Sequence, residues 1–171
     1  MSYLFDTNIF LRLTNKADPA HTLAVEALRT LRKRREMLCF TPQVLAEFWS
    51  VCTRPPSARG GFGLLPSEAE RRARIIEHYF RLLPDSVATY QEWRQLLVRH
   101  TVAGVKVHDA RLIASMKVYS ITYLLTFNAE DFTRYPGITV VAPQCGAPHK
   151  SSGHERSAAV MVIVLFKQGD M

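Results

Sequence analysis

Short apolar runs alternate along this chain with longer stretches in which apolar residues return every three or four positions. The first pattern reads as buried strand, the second as amphipathic helix. Tyr3, Leu4 and Phe5 form the first run, which ends at Asp6. Ile9, Phe10 and Leu13 follow at helical spacing, with Asp6 or Thr7 placed to cap them. Pro19 is expected to open a longer helix whose Leu23, Ala24, Ala27, Leu28 and Leu31 share one arc. Leu38, Cys39 and Phe40 make a second strand, and Pro42 starts a helix running to about Cys52. Residues 54–66 are interrupted repeatedly by Pro and Gly and cannot extend that helix. Ser67 followed by Glu70 reads as a capping box for a helix through Phe80. Further helices are expected over residues 87–100 and from near Asp109, and strands over residues 121–125 and 138–141. Strands alternating with helices predict an α/β sandwich with a largely parallel central sheet.

Composition narrows the class. The 171 residues suffice for one domain with a substantial core. No stretch reaches the roughly 18–20 apolar residues that span a bilayer, and the start has no basic, apolar signal-peptide pattern. Cys39, Cys52 and Cys145 are odd in number, far apart and not in CxxC pairs, which fits a reducing cytoplasm and core roles for the first two. A net charge of +7 favours a polyanionic partner, but acquires meaning only beside a site that acts on phosphates.

The carboxylates supply candidates for such a site. In open parallel sheets ligands bind beyond the carboxyl ends of the strands, which points to Asp6 and to the loop after Leu125. Taken alone, an Asp at a strand end is also an ordinary helix cap. Glu47 lies at the shoulder of the arc formed by Val44, Leu45, Phe48, Val51 and Cys52, about 40° from Val51 at 100° per residue. It is either a snorkelling surface residue or a buried group needing a cation. Asp109 heads the face carrying Leu112, Ile113, Met116 and Ser120, as an N-cap or as an inward charge. Thr126, Asn128, Glu130 and Asp131 offer further oxygens just past the clearest strand, where Asn128 can also cap a helix. Several carboxylates in one place stay ionised only around a cation, and hard oxygen ligands select Mg²⁺ or Mn²⁺.

Leu4-Phe5-Asp6-Thr7-Asn8, Val44-Leu45-Ala46-Glu47-Phe48, Val107-His108-Asp109-Ala110 and the run from Leu125 to Phe132 (LTFNAEDF) resemble, in order and spacing, the four motifs of PIN domains. The nearest likeness is to the VapC toxins of prokaryotic toxin–antitoxin pairs, over roughly residues 2–143. The resemblance implies a PIN-like three-layer α/β/α sandwich in residues 1–145, followed by an extension over residues 146–171. It implies a cytoplasmic, Mg²⁺- or Mn²⁺-dependent endoribonuclease, homodimeric and inhibited by a VapB-like antitoxin. By motif match Asp6, Glu47 and Asp109 are the metal-binding acids, and Thr7 and Thr126 orient them or their water. Where many members carry an aspartate this chain has Asn128, so Asp131 is the candidate for the fourth negative charge.

Candidates on the substrate side are Arg29, Arg32 and Lys33 on one helix and Arg71, Arg72 and Arg74 on another, as phosphate binders or plain solvated faces. Arg54, Arg59 and Phe62 in the Gly/Pro loop are placed to clamp or stack a base. The apolar run at residues 158–166 (AAVMVIVLF) is expected to add a strand to a sheet edge or to pack on a partner. Two other readings stand beside these. A haloacid-dehalogenase-type phosphatase would want a second Asp where Asn8 stands. A catalytically silent RNA-binding or interaction module of the same fold would separate from the nuclease by lacking metal-dependent turnover.

Overall fold

In the computed structural model residues 1–143 are described, and five parallel strands form one sheet in the order β3-β2-β1-β4-β5. β1 (Ser2–Phe5) is central, between β2 (Met37–Phe40) and β4 (Tyr123–Leu125), while β3 (Arg81–Leu82) and β5 (Thr139–Val141) form the edges. The apolar runs explain this order. Leu4, Phe5, Cys39, Phe40, Leu124 and Leu125 are all but inaccessible, as strands covered on both faces must be. Both residues of β3 are exposed, which suits an edge.

Six helices cover the sheet: α1 (Thr7–Thr14), α2 (His21–Lys33), α3 (Pro42–Thr53), α4 (Pro66–Tyr79), α5 (Val87–Arg99) and α6 (Lys106–Val118). A single 3₁₀ turn, Ala129–Phe132, follows β4. α1 packs on α2 and α3, and α3 on α4, whereas α5 packs on α6. Right-handed crossovers account for the two groups: the chain steps outward from β1 to β3 through α1–α4, then returns across the sheet to β4 through α5 and α6. The result is a three-layer α/β/α sandwich. Phe5, Phe10 and Phe80 interlock in one layer of its core, with ring centroids 4.9–5.8 Å apart.

Several local expectations need correction. Ser67 and Glu70 form no capping box: Pro66 takes the first helical position, Leu65 precedes it without a side-chain cap, and Glu70 pairs with Arg74 instead. α2 begins at His21 rather than at Pro19, because Asp18 Oδ1 accepts the Ala20 amide at 2.8 Å and closes a turn there. α6 starts one turn before Asp109. Ile121 is held in the preceding turn by its bond to Met116 O, so β4 begins only at Tyr123. Cys39 and Cys52 are core residues, as expected, and burial pushes the Cys52 thiol up to about 12. Cys145 and the apolar run at 158–166 lie outside the described residues.

The sheet order fixes where a ligand belongs. From β1 the chain proceeds to β2 on one side and, later, to β4 on the other, so β1 and β4 flank a topological switch point. Phe5 pairs with Leu125, so Asp6 and Thr126 leave the sheet side by side.

Candidate functional site

Asp6 sits at the carboxyl end of β1, its amide donating to Leu125 O at 3.0 Å. Its side chain does not cap α1. Instead Asp6 Oδ2 accepts from Thr126 Oγ1 at 2.6 Å and from Asn8 Nδ2 at 2.5 Å. Asn8 Nδ2 also reaches Thr126 Oγ1 at 2.8 Å, and Asn8 Oδ1 accepts the Phe127 amide at 3.1 Å. Thr126 Oγ1 in turn accepts the Asn128 amide at 3.0 Å. Three side chains from two strand ends are thus locked in one network. Asp6 is only 9% exposed, and Thr126 is wholly buried. Burial pushes the Asp6 carboxyl up to about 6; the Thr126 hydrogen bond opposes this, and the charges of Glu47 and Asp109 add to it.

Glu47 arrives from α3. That helix starts just past β2, where Thr41 Oγ1 caps the Val44 amide at 3.3 Å and Pro42 occupies the first turn. Glu47 Oε2 accepts from Thr7 Oγ1 at 2.6 Å, and Oε1 from Gln43 Nε2 at 2.8 Å. Gln43 Nε2 also lies 3.1 Å from His108 O, which ties α3 to the first turn of α6. The same turn is held from the other side by Trp93, whose indole donates to Val107 O at 2.9 Å. Asp109 is thereby fixed between the helices. Its carboxyl is raised by burial, with Lys106 pulling it down and Asp131 and Glu47 pushing it up.

The expected residues therefore divide. Asp6, Thr7, Glu47, Asp109 and Thr126 surround one region, close enough for the three carboxylates to feel one another's charge. Asp131 turns to Lys106, whose Nζ is 2.5 Å away and also 3.4 Å from Asp109 Oδ2. The Asn128 residue is exposed and its side chain caps nothing. Among the described residues no three acids are gathered tightly enough to form a ready-made ion cage.

The donor set nevertheless fits Mg²⁺ or Mn²⁺. A carboxylate that is buried, oxygen-surrounded and penalised for ionising gains most from a hard divalent cation. Asp6, Glu47 and Asp109 are the residues that would hold it.

The basic candidates fare unequally. Arg71 and Arg72 pair with Glu68 at 2.8 Å each, Arg72 also reaches Thr14 O, and Arg74 pairs with Glu70 at 2.7 Å. These cations are laced to neighbouring acids at i,i+3 and i,i+4 spacing, although Arg74 itself stays exposed. Glu68 is held down to about 2 by the hydrogen bond from Arg71 foremost. Arg29 and Lys33 are exposed on α2, while Arg32 lies over the Tyr79 ring, 4.9 Å from its centroid. Arg59 is exposed, Arg54 Nη2 reaches Ser50 Oγ at 3.3 Å, and Phe62 packs against the core instead of presenting a ring.

Asn8, Gln43, Lys106 and Arg12 were not singled out from the sequence as members of the site. Arg12 lies over Phe127, 4.4 Å from the ring centroid, and donates to Asn8 O at 3.0 Å. Lys106 and Gln43 had a local signal, standing three residues before Asp109 and four before Glu47 on their helices.

The fold has solved counterparts. It is similar to VapBC2 from Rickettsia felis bound to a promoter DNA fragment, at 18% identity and TM-score 0.62, covering 83% of this chain and 98% of that one. It is similar to VapC20 from Mycobacterium tuberculosis, described as a sarcin-ricin loop cleaving toxin, at 19% identity and TM-score 0.56, covering 75% and 92%. A toxin–antitoxin complex from Klebsiella pneumoniae matches at 22% identity and TM-score 0.59, covering 83% and 98%. No curated protein sequence is significantly similar to the chain. The sequence profile of the PIN domain matches residues 3–138, most of the described fold and every element of the site, and the chain therefore belongs to the PIN domain family.

Proposed function

We propose that this chain is a metal-dependent endoribonuclease, the toxin of a VapC-type toxin–antitoxin pair. The observation that carries the reading is Asp6: a buried carboxyl at the switch point, raised to about 6, facing Glu47 and Asp109. A bound Mg²⁺ or Mn²⁺ would supply Lewis-acid charge for a phosphodiester and acidify an attacking water. The chain's own residues do the rest. Thr126 and Asn8 fix the Asp6 carboxylate, and Thr7 and Gln43 fix that of Glu47. Such outer contacts hold ligand oxygens in place before an ion arrives.

Further support comes from relatives described as VapBC complexes and as an RNA-loop-cleaving toxin. By analogy the partner is a VapB-like antitoxin, the assembly contains a homodimer, and the setting is cytoplasmic. None of the helices among the described residues is long and apolar enough to cross a membrane. The net charge of +7 suits an RNA substrate. Residues 1–145 form the nuclease domain in this reading, and residues 146–171, which lie outside the described residues, an extension to it.

Purified protein incubated with end-labelled total RNA tests the proposal, in Mg²⁺ or Mn²⁺, in EDTA, and beside Asp109→Asn. Discrete cuts that need the metal and vanish in the variant are expected. RNA that is bound but never cut under any metal would replace the nuclease with a binding module.

A further inference from the structure

Lys106 is placed between two of the site's acids. It is the first residue of α6, so Asp109 lies one turn further along the same helix. Asp131 comes from the 3₁₀ turn after β4, which packs against α6. Between them the Lys106 ammonium sits 2.5 Å from Asp131 Oδ1 and 3.4 Å from Asp109 Oδ2. Lys106 is part-exposed and spans the two carboxylates of Asp109 and Asp131.

We propose that Lys106 is a built-in second cation: its ammonium occupies the position between Asp109 and Asp131, so that the site admits one divalent ion, on the side of Asp6 and Glu47. This rests on the metal-dependent reading of the site given above. A divalent ion bridging Asp109 and Asp131 would lie within a few ångströms of a fixed positive charge, and two cations at that separation repel strongly where water is partly excluded. The ammonium pairs with Asp131 at 2.5 Å and lies 3.4 Å from Asp109, supplying positive charge between them without an ion at that position. Asp109 is then shared: its Oδ2 lies 3.4 Å from Lys106, while its carboxyl feels the charge of Glu47 and is felt by Asp6. Asp131 becomes a positioning residue that holds Lys106, and the aspartate-to-asparagine departure at Asn128 costs nothing, because no second ion needs it.

Counting bound Mn²⁺ in the full-length protein tests this, by electron paramagnetic resonance of the free ion during titration. Wild type is expected to bind one Mn²⁺ per chain. Lys106→Met frees both acids and is expected to bind two, Lys106→Met combined with Asp131→Asn to return to one, and Lys106→Arg to keep one. Asp131→Asn alone provides a check that does not depend on the Lys106 variant folding: the count stays at one with unchanged affinity. Two ions in wild type, one in Lys106→Met, or lost binding in Asp131→Asn would each overturn the inference. No Mn²⁺ bound by wild type would instead remove the metal reading of Asp6 itself, a different failure.

Discussion

The two halves of the site handle negative charge in opposite ways. At the strand ends, Asp6 is held by the neutral donors Thr126 and Asn8, and burial raises its carboxyl to about 6. At the start of α6, Asp109 and Asp131 are more open and share the Lys106 ammonium. The neutral donors around Asp6 orient its carboxylate without neutralising it, so the cost of ionising it stays in the fold. The ammonium beside Asp109 offsets part of the same cost, burial still leaving that carboxyl raised. One half is prepared to gain from an incoming divalent ion; the other is partly compensated.

The largest effect should come from breaking the first half. Asp6→Asn is expected to reduce metal-dependent cleavage on the order of 10³-fold, while raising stability without metal at pH 7 by up to about 3 kcal/mol. Single-turnover cleavage and thermal melts in EDTA check the two signs together; a variant that loses activity and stability alike would contradict the account. The sign follows from linkage. Because folding raises the Asp6 carboxyl from 3.8 to about 6, its favourable contribution is present below 3.8 and is lost as pH rises through 6. The melting temperatures of wild type and Asp6→Asn should therefore converge at pH 4 and separate by pH 7, and added Mn²⁺ should stabilise wild type alone.

Next in size is Thr126→Val, which removes a donor to Asp6 without touching the helix-borne acids. A loss of about 10–100-fold in Mn²⁺ affinity is expected, read by titration. Unchanged affinity would mean that the strand-end network is structural only. The smallest effects belong to the basic helices. Replacing Arg29 and Lys33 by Ala should weaken RNA binding and lower the salt slope by roughly one unit per lost phosphate contact. Arg74→Ala, already engaged by Glu70, should leave RNA affinity and its salt dependence as in wild type. If Arg74 proved the more important, the division between open and internally laced faces would be reversed.

Much of the first half was legible in the sequence, and less of the second. Apolar runs such as Tyr3-Leu4-Phe5 can only be buried strands, and a strand-end Asp at a switch point follows from the order of elements. Two-residue β3, exposed and partly charged, carries no such signal and is defined only by its pairing with β2. The false capping box at Ser67 shows a local motif overridden by Pro66, whose fixed φ and missing amide suit the first helical position better. The pairs Glu68–Arg71, Glu68–Arg72 and Glu70–Arg74 were readable from their spacing of three and four residues, which already argued against an open phosphate face. The long-range bonds of Asn8 to Thr126 and of Gln43 to His108 could not be read from sequence, since they span 118 and 65 positions.

The most direct test of the central claim, that the switch point holds the catalytic cation, is a crystal structure with Mn²⁺ and its anomalous signal. The account predicts one peak per chain at about 2.0–2.3 Å from an Asp6 carboxylate oxygen, with Glu47 and Asp109 turned toward it and Lys106 still between Asp109 and Asp131. A peak bound by Asp109 and Asp131 with Lys106 displaced, or bound ions only away from Asp6, would contradict it.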